Sequence, residues 1–158
     1  MQEKLYLERS KTKMKEQNQM TVTFAARSVN EGFARVTAAA FLAQLDPTLQ
    51  ELAEIKTVVS EAVTNAIVHG YAENGGNVRM KVQIFEGNKI RITVKDKGRG
   101  IENIPQAMTP CFTTGGEDRA GMGFSIMQGF CDRIRVRSYP GKGTTVVMDK
   151  YIGGKHER

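Results

Sequence analysis

No tryptophan occurs in this sequence, and cysteine and histidine occur only twice each. Cys111 and Cys131 show neither a CxxC pair nor any other metal-ligand spacing. That excludes a zinc ribbon or a disulfide-stapled scaffold and leaves two free thiols, as expected of a cytoplasmic protein. No run of about 18 or more apolar residues is present, so no membrane-spanning helix is expected. The N-terminus also lacks the apolar stretch of a secretion signal. Prolines are few, four in 158 residues, whereas glycines number sixteen and cluster late in the chain.

The formal charge is +6, and its location matters more than its size. Residues 1–19 hold five Lys/Arg against three Asp/Glu, and residues 150–158 hold three against one. The tails thus carry most of the excess. Residues 20–149 show no basic stripe along the sequence and no DNA-binding motif, so no direct nucleic-acid or membrane partner is expected. At 17.5 kDa the chain is one domain's worth, with a core able to bury roughly two thirds of its unfolded surface. Residues 1–19 read as a flexible extension, 20–150 as the domain and 151–158 as a disordered tail.

Within the domain, Met20–Ala25 alternates as a strand. Ser28 and Glu31 have the spacing of a capping box for a helix over about 29–44, expected to bury Phe33, Val36, Ala40 and Phe41. Asp46 and Pro47 fit the N-cap and first position of a second helix ending at a Gly70 cap. Its stripe of Val59, Ala62, Val63, Ala66 and Ile67 suits packing on a sheet. Val78, Met80, Val82 and Ile84 alternate with polar residues, as do Ile90, Ile92 and Val94 across the turn at Glu86–Asn88, which predicts a hairpin. A long glycine-rich stretch over 97–120, a short helix over about 122–131 and a second hairpin complete the order. The prediction is an α/β two-layer sandwich: a mixed, mostly antiparallel sheet with helices packed on one face.

Glu61, Asn65 and His69 recur at every fourth position of the second helix and line one side of it. A carboxamide oxygen can supply one hard ligand to Mg²⁺, and a carboxylate one turn back can deprotonate a hydroxyl. Asp96, Gly98 and Gly100 follow a strand; the glycines let backbone pass close to a flat group and the acid can accept from an exocyclic amine. Gly121 and Gly123 open a helix whose N-terminus suits phosphate, with Arg119 just before it. Gly143, Thr144 and Thr145 place hydroxyls at a strand mouth. Each motif alone also fits a plain turn or a solvated helix face. The Walker A and Rossmann glycine patterns are absent.

Taken in order, these motifs resemble the N box and three glycine boxes of the GHKL, or Bergerat-fold, ATPases and kinases, a family that includes gyrase, MutL and the histidine kinases. The likeness covers residues 20–150. The length leaves no room for the transducer domains of gyrase or MutL, and no histidine stands upstream as a phosphate acceptor. The chain is most similar to the free-standing serine kinases that act as anti-sigma factors, over residues 33–36, 54–71, 112–114 and 121–124. The resemblance implies ATP and Mg²⁺ as cofactors, with Glu61 as base and Asn65 as the Mg²⁺ ligand. It further implies nucleotide contacts from His69, Asp96, Gly98, Gly100, Thr113, Thr114, Arg119, Gly121, Gly123 and Thr145. Glu31 and Arg35 match partner-binding positions. The implied partners are a sigma factor of the sporulation (sigma F) type, an anti-anti-sigma protein phosphorylated on serine, and a second copy of the chain. A nucleotide-gated sigma binder without kinase activity, or a stress-response anti-sigma kinase, is the alternative.

Overall fold

A computed structural model describes residues 14–71, 75–108 and 123–153. Five strands form one sheet in the order β1-β2-β3-β5-β4, where β1 is Glu16–Ala25, β2 Asn77–Phe85, β3 Lys89–Lys95, β4 Arg133–Tyr139 and β5 Gly143–Tyr151. Every pairing in it is antiparallel. The α-helices among the described residues are α1 (Asn30–Leu42), α2 (Leu49–Asn65), α3 (Ile104–Ala107) and α4 (Gly123–Phe130), with 3₁₀ turns at Ala43–Leu45 and Glu86–Asn88 and a π turn at Ala66–Tyr71.

The sheet is two-faced because its strands alternate. Val78, Met80, Val82 and Ile84 of β2 and Ile90, Ile92 and Val94 of β3 are all buried, as their spacing predicts. Val146 and Met148 of β5 extend that layer. Onto it α2 lays Val59, Ala62 and Val63, and the turn that follows adds Ala66 and Ile67. A core of this kind, apolar strand faces under an apolar helix stripe, is what holds the two layers together.

Several boundaries differ from the sequence expectation. β1 begins at Glu16 rather than Met20, pairing with β2 through an irregularity between Glu16 and Asn18. Polar residues suffice there because β1 is an edge strand with wet surroundings. At the other end β5 includes Tyr151, Ile152 is buried, and the Gly153 N–H donates to Glu51 Oε2 (2.8 Å). These residues therefore belong to the domain rather than to a tail.

Ser28 does not form a capping box. Its backbone oxygen accepts from the Glu31 N–H (3.2 Å), while the Asn30 side chain donates to the Ala25 carbonyl (2.9 Å) and ties α1 to β1. The reciprocal box forms at α2, where Thr48 Oγ1 accepts from the Glu51 N–H and Glu51 Oε1 accepts from the Thr48 N–H, both at 3.0 Å. Asp46 instead closes a short 3₁₀ turn in the left-handed region (φ 53°), so it cannot begin the helix.

The buried face of α1 is also rotated from the expected one. Ala34, Ala38 and Leu42, at fourth positions, are fully buried, with Ala39 nearly so. Phe33 and Val36 are 52% and 58% exposed, Ala40 is exposed, and Phe41 is only partly buried. Small residues let α1 lie close to its neighbours, and close approach decides the face.

Candidate functional site

Helix α2 runs regularly to Asn65 and then widens into a π turn over Ala66–Tyr71, in place of the glycine cap expected at Gly70. Such wide turns recur at functional sites because they re-aim backbone groups. Here they meet the loop after β3. The His69 carbonyl accepts from Arg99 Nε (2.7 Å) and the Gly70 carbonyl from the Arg99 N–H (2.8 Å). Gly98 passes so close to the Gly70 carbonyl that a Cβ there would overlap it. Tyr71 adds a clamp. Its hydroxyl donates to the Asn77 carbonyl (2.6 Å) and accepts from the Lys97 N–H (2.7 Å), fixing the end of α2 to β2 and to the exit of β3.

Between α2, that loop, α3, the start of α4 and the mouth of β5 lies a cavity of about 410 Å³. Its volume is that of a small-molecule site. Asn65, His69, Asp96, Gly100 and Gly123 line it, with Ala62, Ala66, Val94, Ile101 and Val146 among its apolar walls. The sheet thus supplies the floor and α2 one wall.

Asp96 is the buried acid of this cavity, 5% exposed. Burial pushes its carboxyl above the usual range, only partly offset by backbone N–H groups of Gly98 and Thr144. The Gly98 N–H donates to Oδ1 (2.9 Å), and backbone bonds between Asp96 and Thr144 lock β3 to β5 behind it. A buried carboxylate is costly unless donors meet it, and a ligand donor would add to these backbone groups.

Glu61 and Asn65 come together at the start of α4. A Cβ built on Gly123 would stand 3.0 Å from Glu61 Oε2 and 3.1 Å from Asn65 Nδ2. Glycine is what lets α4 begin against both polar side chains. Asn65 lines the cavity; Glu61, one turn back, lies at its border with Gly123 between them. At the other end of α4, Lys150 Nζ donates to the Phe130 carbonyl and to Glu54 Oε2, both at 2.8 Å, joining α4, α2 and β5. Next to it Cys131 is a free thiol whose pKa burial raises to about 11, so it is inert.

One expected contact falls a residue away. Thr145 pairs with Lys95 and Arg137 and points, by strand alternation, to the outer face of the sheet, whereas Thr144 lines the cavity. The buried Val146 and Met148 carried that signal, since they share the face of Thr144. Also unforeseen are Glu102, Asn103 and Gln106. They reach the cavity because Asn103 caps α3, its side chain accepting from the Gln106 N–H (3.0 Å), with Pro105 in the first turn. The Asn–Pro spacing was the available sign of that helix. Gly98 supports the loop without lining the cavity. Thr113, Thr114, Arg119 and Gly121 lie outside the described residues, as does Cys111.

Among the described residues no three His, Cys, Asp or Glu side chains gather as a metal cluster. Mg²⁺ needs no such cluster. It commonly takes one or two protein oxygens and completes its shell with water and phosphate oxygens, and the Asn65 carboxamide at the cavity border fits that role.

A two-layer α/β domain with a nucleotide-sized cavity between helix and sheet, a buried acid and a glycine-opened helix defines a class, and the comparisons with known proteins agree with it. The family described as "Histidine kinase-like ATPase domain" matches residues 23–150. A Thermoanaerobacter protein named "Anti-sigma F factor" is 58% identical over 137 residues, spanning 86% of this chain and 95% of the relative. Proteins of the same name from Caldanaerobacter subterraneus and Bacillus licheniformis are each 54% identical, spanning 89% and 85% of this chain and 98% and 93% of the relatives. Among solved structures, the RsbU and RsbW domains of a Mycobacterium tuberculosis protein superpose with a TM-score of 0.63 at 19% identity, over 86% of this chain and 32% of that one. A blue-light activated histidine kinase from Erythrobacter litoralis does so with a TM-score of 0.56 at 22% identity, over 76% of this chain and 41% of that one. The chain belongs to the histidine kinase-like ATPase family, an ATP-binding fold, in the branch of the anti-sigma F factors. No helix among the described residues is long and apolar enough to cross a membrane.

Proposed function

We propose that the chain binds and inhibits a sigma factor of the sporulation type and is an ATP-dependent protein serine kinase acting on the anti-anti-sigma protein. The observation that carries the kinase reading is the convergence of Glu61 and Asn65 on Gly123 at the cavity border. A nucleotide-binding module without chemistry can use the carboxamide for Mg²⁺ but has no use for a carboxylate one turn back from it at that point. ATP enters with its adenine in the cavity, where Asp96 accepts from the exocyclic amine. Asn65 holds Mg²⁺, which neutralises charge on the phosphates. His69 and Gly100 line the nucleotide, and Gly123 gives the phosphates an approach to the α4 N-terminus. Thr113, Thr114, Arg119 and Gly121 complete the phosphate contacts in this reading.

The chemistry follows from those positions. Glu61 takes the proton of the substrate serine as its oxygen bonds to the γ-phosphorus. The bond from that phosphorus to the bridging oxygen breaks, and the electron pair leaves with ADP. Phosphoryl transfer asks chiefly for alignment and charge neutralisation, so a sparse set of side chains suffices.

The exposed Phe33 and Val36 on α1, Val29 just before it and the open edge of β1 supply the surface for a second copy and for the sigma factor. Glu31 and Arg35 lie on the same helix and serve partner contact. The test is incubation of the chain with labelled ATP, Mg²⁺ and candidate anti-anti-sigma proteins. Transfer to serine is expected, and Glu61→Ala should reduce it about 10³-fold while ATP and sigma still bind. Full transfer by Glu61→Ala would remove the base assignment. Sigma binding without any transfer by the unaltered chain would leave a nucleotide-gated binder.

A further inference from the structure

The sheet face opposite the helices carries a concentration of positive charge that the linear sequence hides. Strand pairing aligns Thr23, Arg79, Lys95, Thr145 and Arg137 in one row across all five strands. The next row on that face is Thr21, Lys81, Thr93, Val147 and Arg135. These two rows hold five cations and no acid. Among the described residues, no ion pair reaches Arg79, Lys81, Lys95 or Arg137, and Arg79, Lys95 and Arg137 are exposed. The third row differs. There Asp149, 2% exposed, takes a two-pronged hydrogen bond from Arg91 (2.7 and 3.0 Å) and an ion pair from Lys89 at 3.6 Å. Its carboxyl, pulled up by burial, is held below the usual range by those cations. Arg133 completes this row beside Asp149, so the acid-free field ends at a row whose single carboxylate is held among cations.

We propose that this bounded cation field docks the acidic face of a helix on a partner protein. The field is compact. Strands lie about 4.8 Å apart, so Arg79 and Arg137, three strand steps from each other, are separated by about 14 Å. Carboxylates on one helix face repeat about every 6 Å along its axis, and between two and three helical turns span the row. Nucleic acid is the poorer match. The two acid-free rows contain no aromatic side chain on which a base could stack. Between the cations stand Thr93, Thr145 and Val147, short side chains that leave room for a packed helix. The patch is also remote from the exposed stripe of α1, since the helices occupy the other face.

The experiment uses the full chain and three probes: an alanine-based helical peptide with glutamates at every fourth position, an isomer with its glutamates in one block, and single-stranded DNA of equal charge. The spaced peptide should bind most tightly. The triple variant Arg79→Gln, Lys81→Gln, Arg137→Gln should weaken it by about tenfold or more, with ATP affinity and melting temperature unchanged. Arg79→Lys with Arg137→Lys should keep most of the binding, which separates charge from a general disturbance of the sheet. Equal binding of the block isomer would reduce the effect to polyelectrolyte attraction and overturn the proposal. So would tighter, more salt-dependent binding of the DNA, which would make the face a nucleic-acid surface.

Discussion

Helices α1 and α2 lie on the same side of the same sheet, yet they break the usual inside–outside rule in opposite senses. α1 keeps alanines inward and turns Phe33 and Val36 out, at 52% and 58% exposure. α2 buries a full apolar stripe and still directs polar side chains, Asn65 and Glu61, inward against α4. An exposed apolar stripe asks for another surface; polar groups held against a glycine ask for a ligand. Where a helix departs from simple amphipathicity, the direction of the departure tells what kind of partner it meets.

The sharpest way to break this contrast is at Gly123. A Cβ there must displace Glu61 or Asn65, because both stand about 3 Å from it. Gly123→Ala is expected to lower phosphoryl transfer about 100-fold, as small misplacements of catalytic groups do, with melting temperature little changed. Unaltered transfer rates would mean that the two side chains do no aligned work. Asp96 comes next. Its raised carboxyl implies that ATP affinity starts to fall with acid above the ordinary carboxylate range, because the protonated form no longer accepts with a charge. Fold stability moves the opposite way: the free protein gains from Asp96 as pH drops toward the unfolded value, and that gain is lost as pH rises through the raised folded value. Titration calorimetry beside melting curves would read both, and Asp96→Asn should weaken ATP about tenfold and flatten both trends.

The hairpin of β2 and β3 and the stripe on α2 were legible because strict periods of two and near four leave little choice of face. α1 was misread for a physical reason: large residues were given the core, while the packing distance favoured Ala34 and Ala38. Thr145 was chosen over Thr144 because motif order carries no parity, whereas strand alternation does. The π turn at Ala66–Tyr71 has no sequence sign at all, being set by the loop that docks Arg99 on the carbonyls of His69 and Gly70. The cation field of the outer sheet face was invisible for a related reason. Its members come from three strands, separated along the chain by neutral and acidic residues, and only register brings them together.

On α1 the expected effect on the isolated fold is smaller. The Phe33 ring meets Phe24 edge-on, with centroids 6.1 Å apart, so Phe33→Gln forfeits about 1 kcal/mol of stability from that contact. Self-association, followed by sedimentation, should weaken far more than this. If it is unchanged while melting temperature collapses, α1 faces the core more than its exposure implies, and the contrast with α2 dissolves.

The smallest effect is the most discriminating. Glu31 and Arg35 form an ion pair at 4.0 Å between partly exposed side chains, a geometry worth about 0.3–0.5 kcal/mol. Glu31 also borders a notch of about 180 Å³ with Ser28, Thr64, Ile67 and Val68, where the start of α1 meets the end of α2. A double-mutant cycle of Glu31→Ala and Arg35→Ala should therefore give a stability coupling within about 0.5 kcal/mol. Partner binding, measured on the same variants, should fall by a much larger factor. A coupling above about 1 kcal/mol, with partner affinity intact, would make the pair a brace of α1 itself. The outward face of that helix would then lose its only charged contribution to recognition, and Val29, Phe33 and Val36 would have to carry the interface as apolar surface alone.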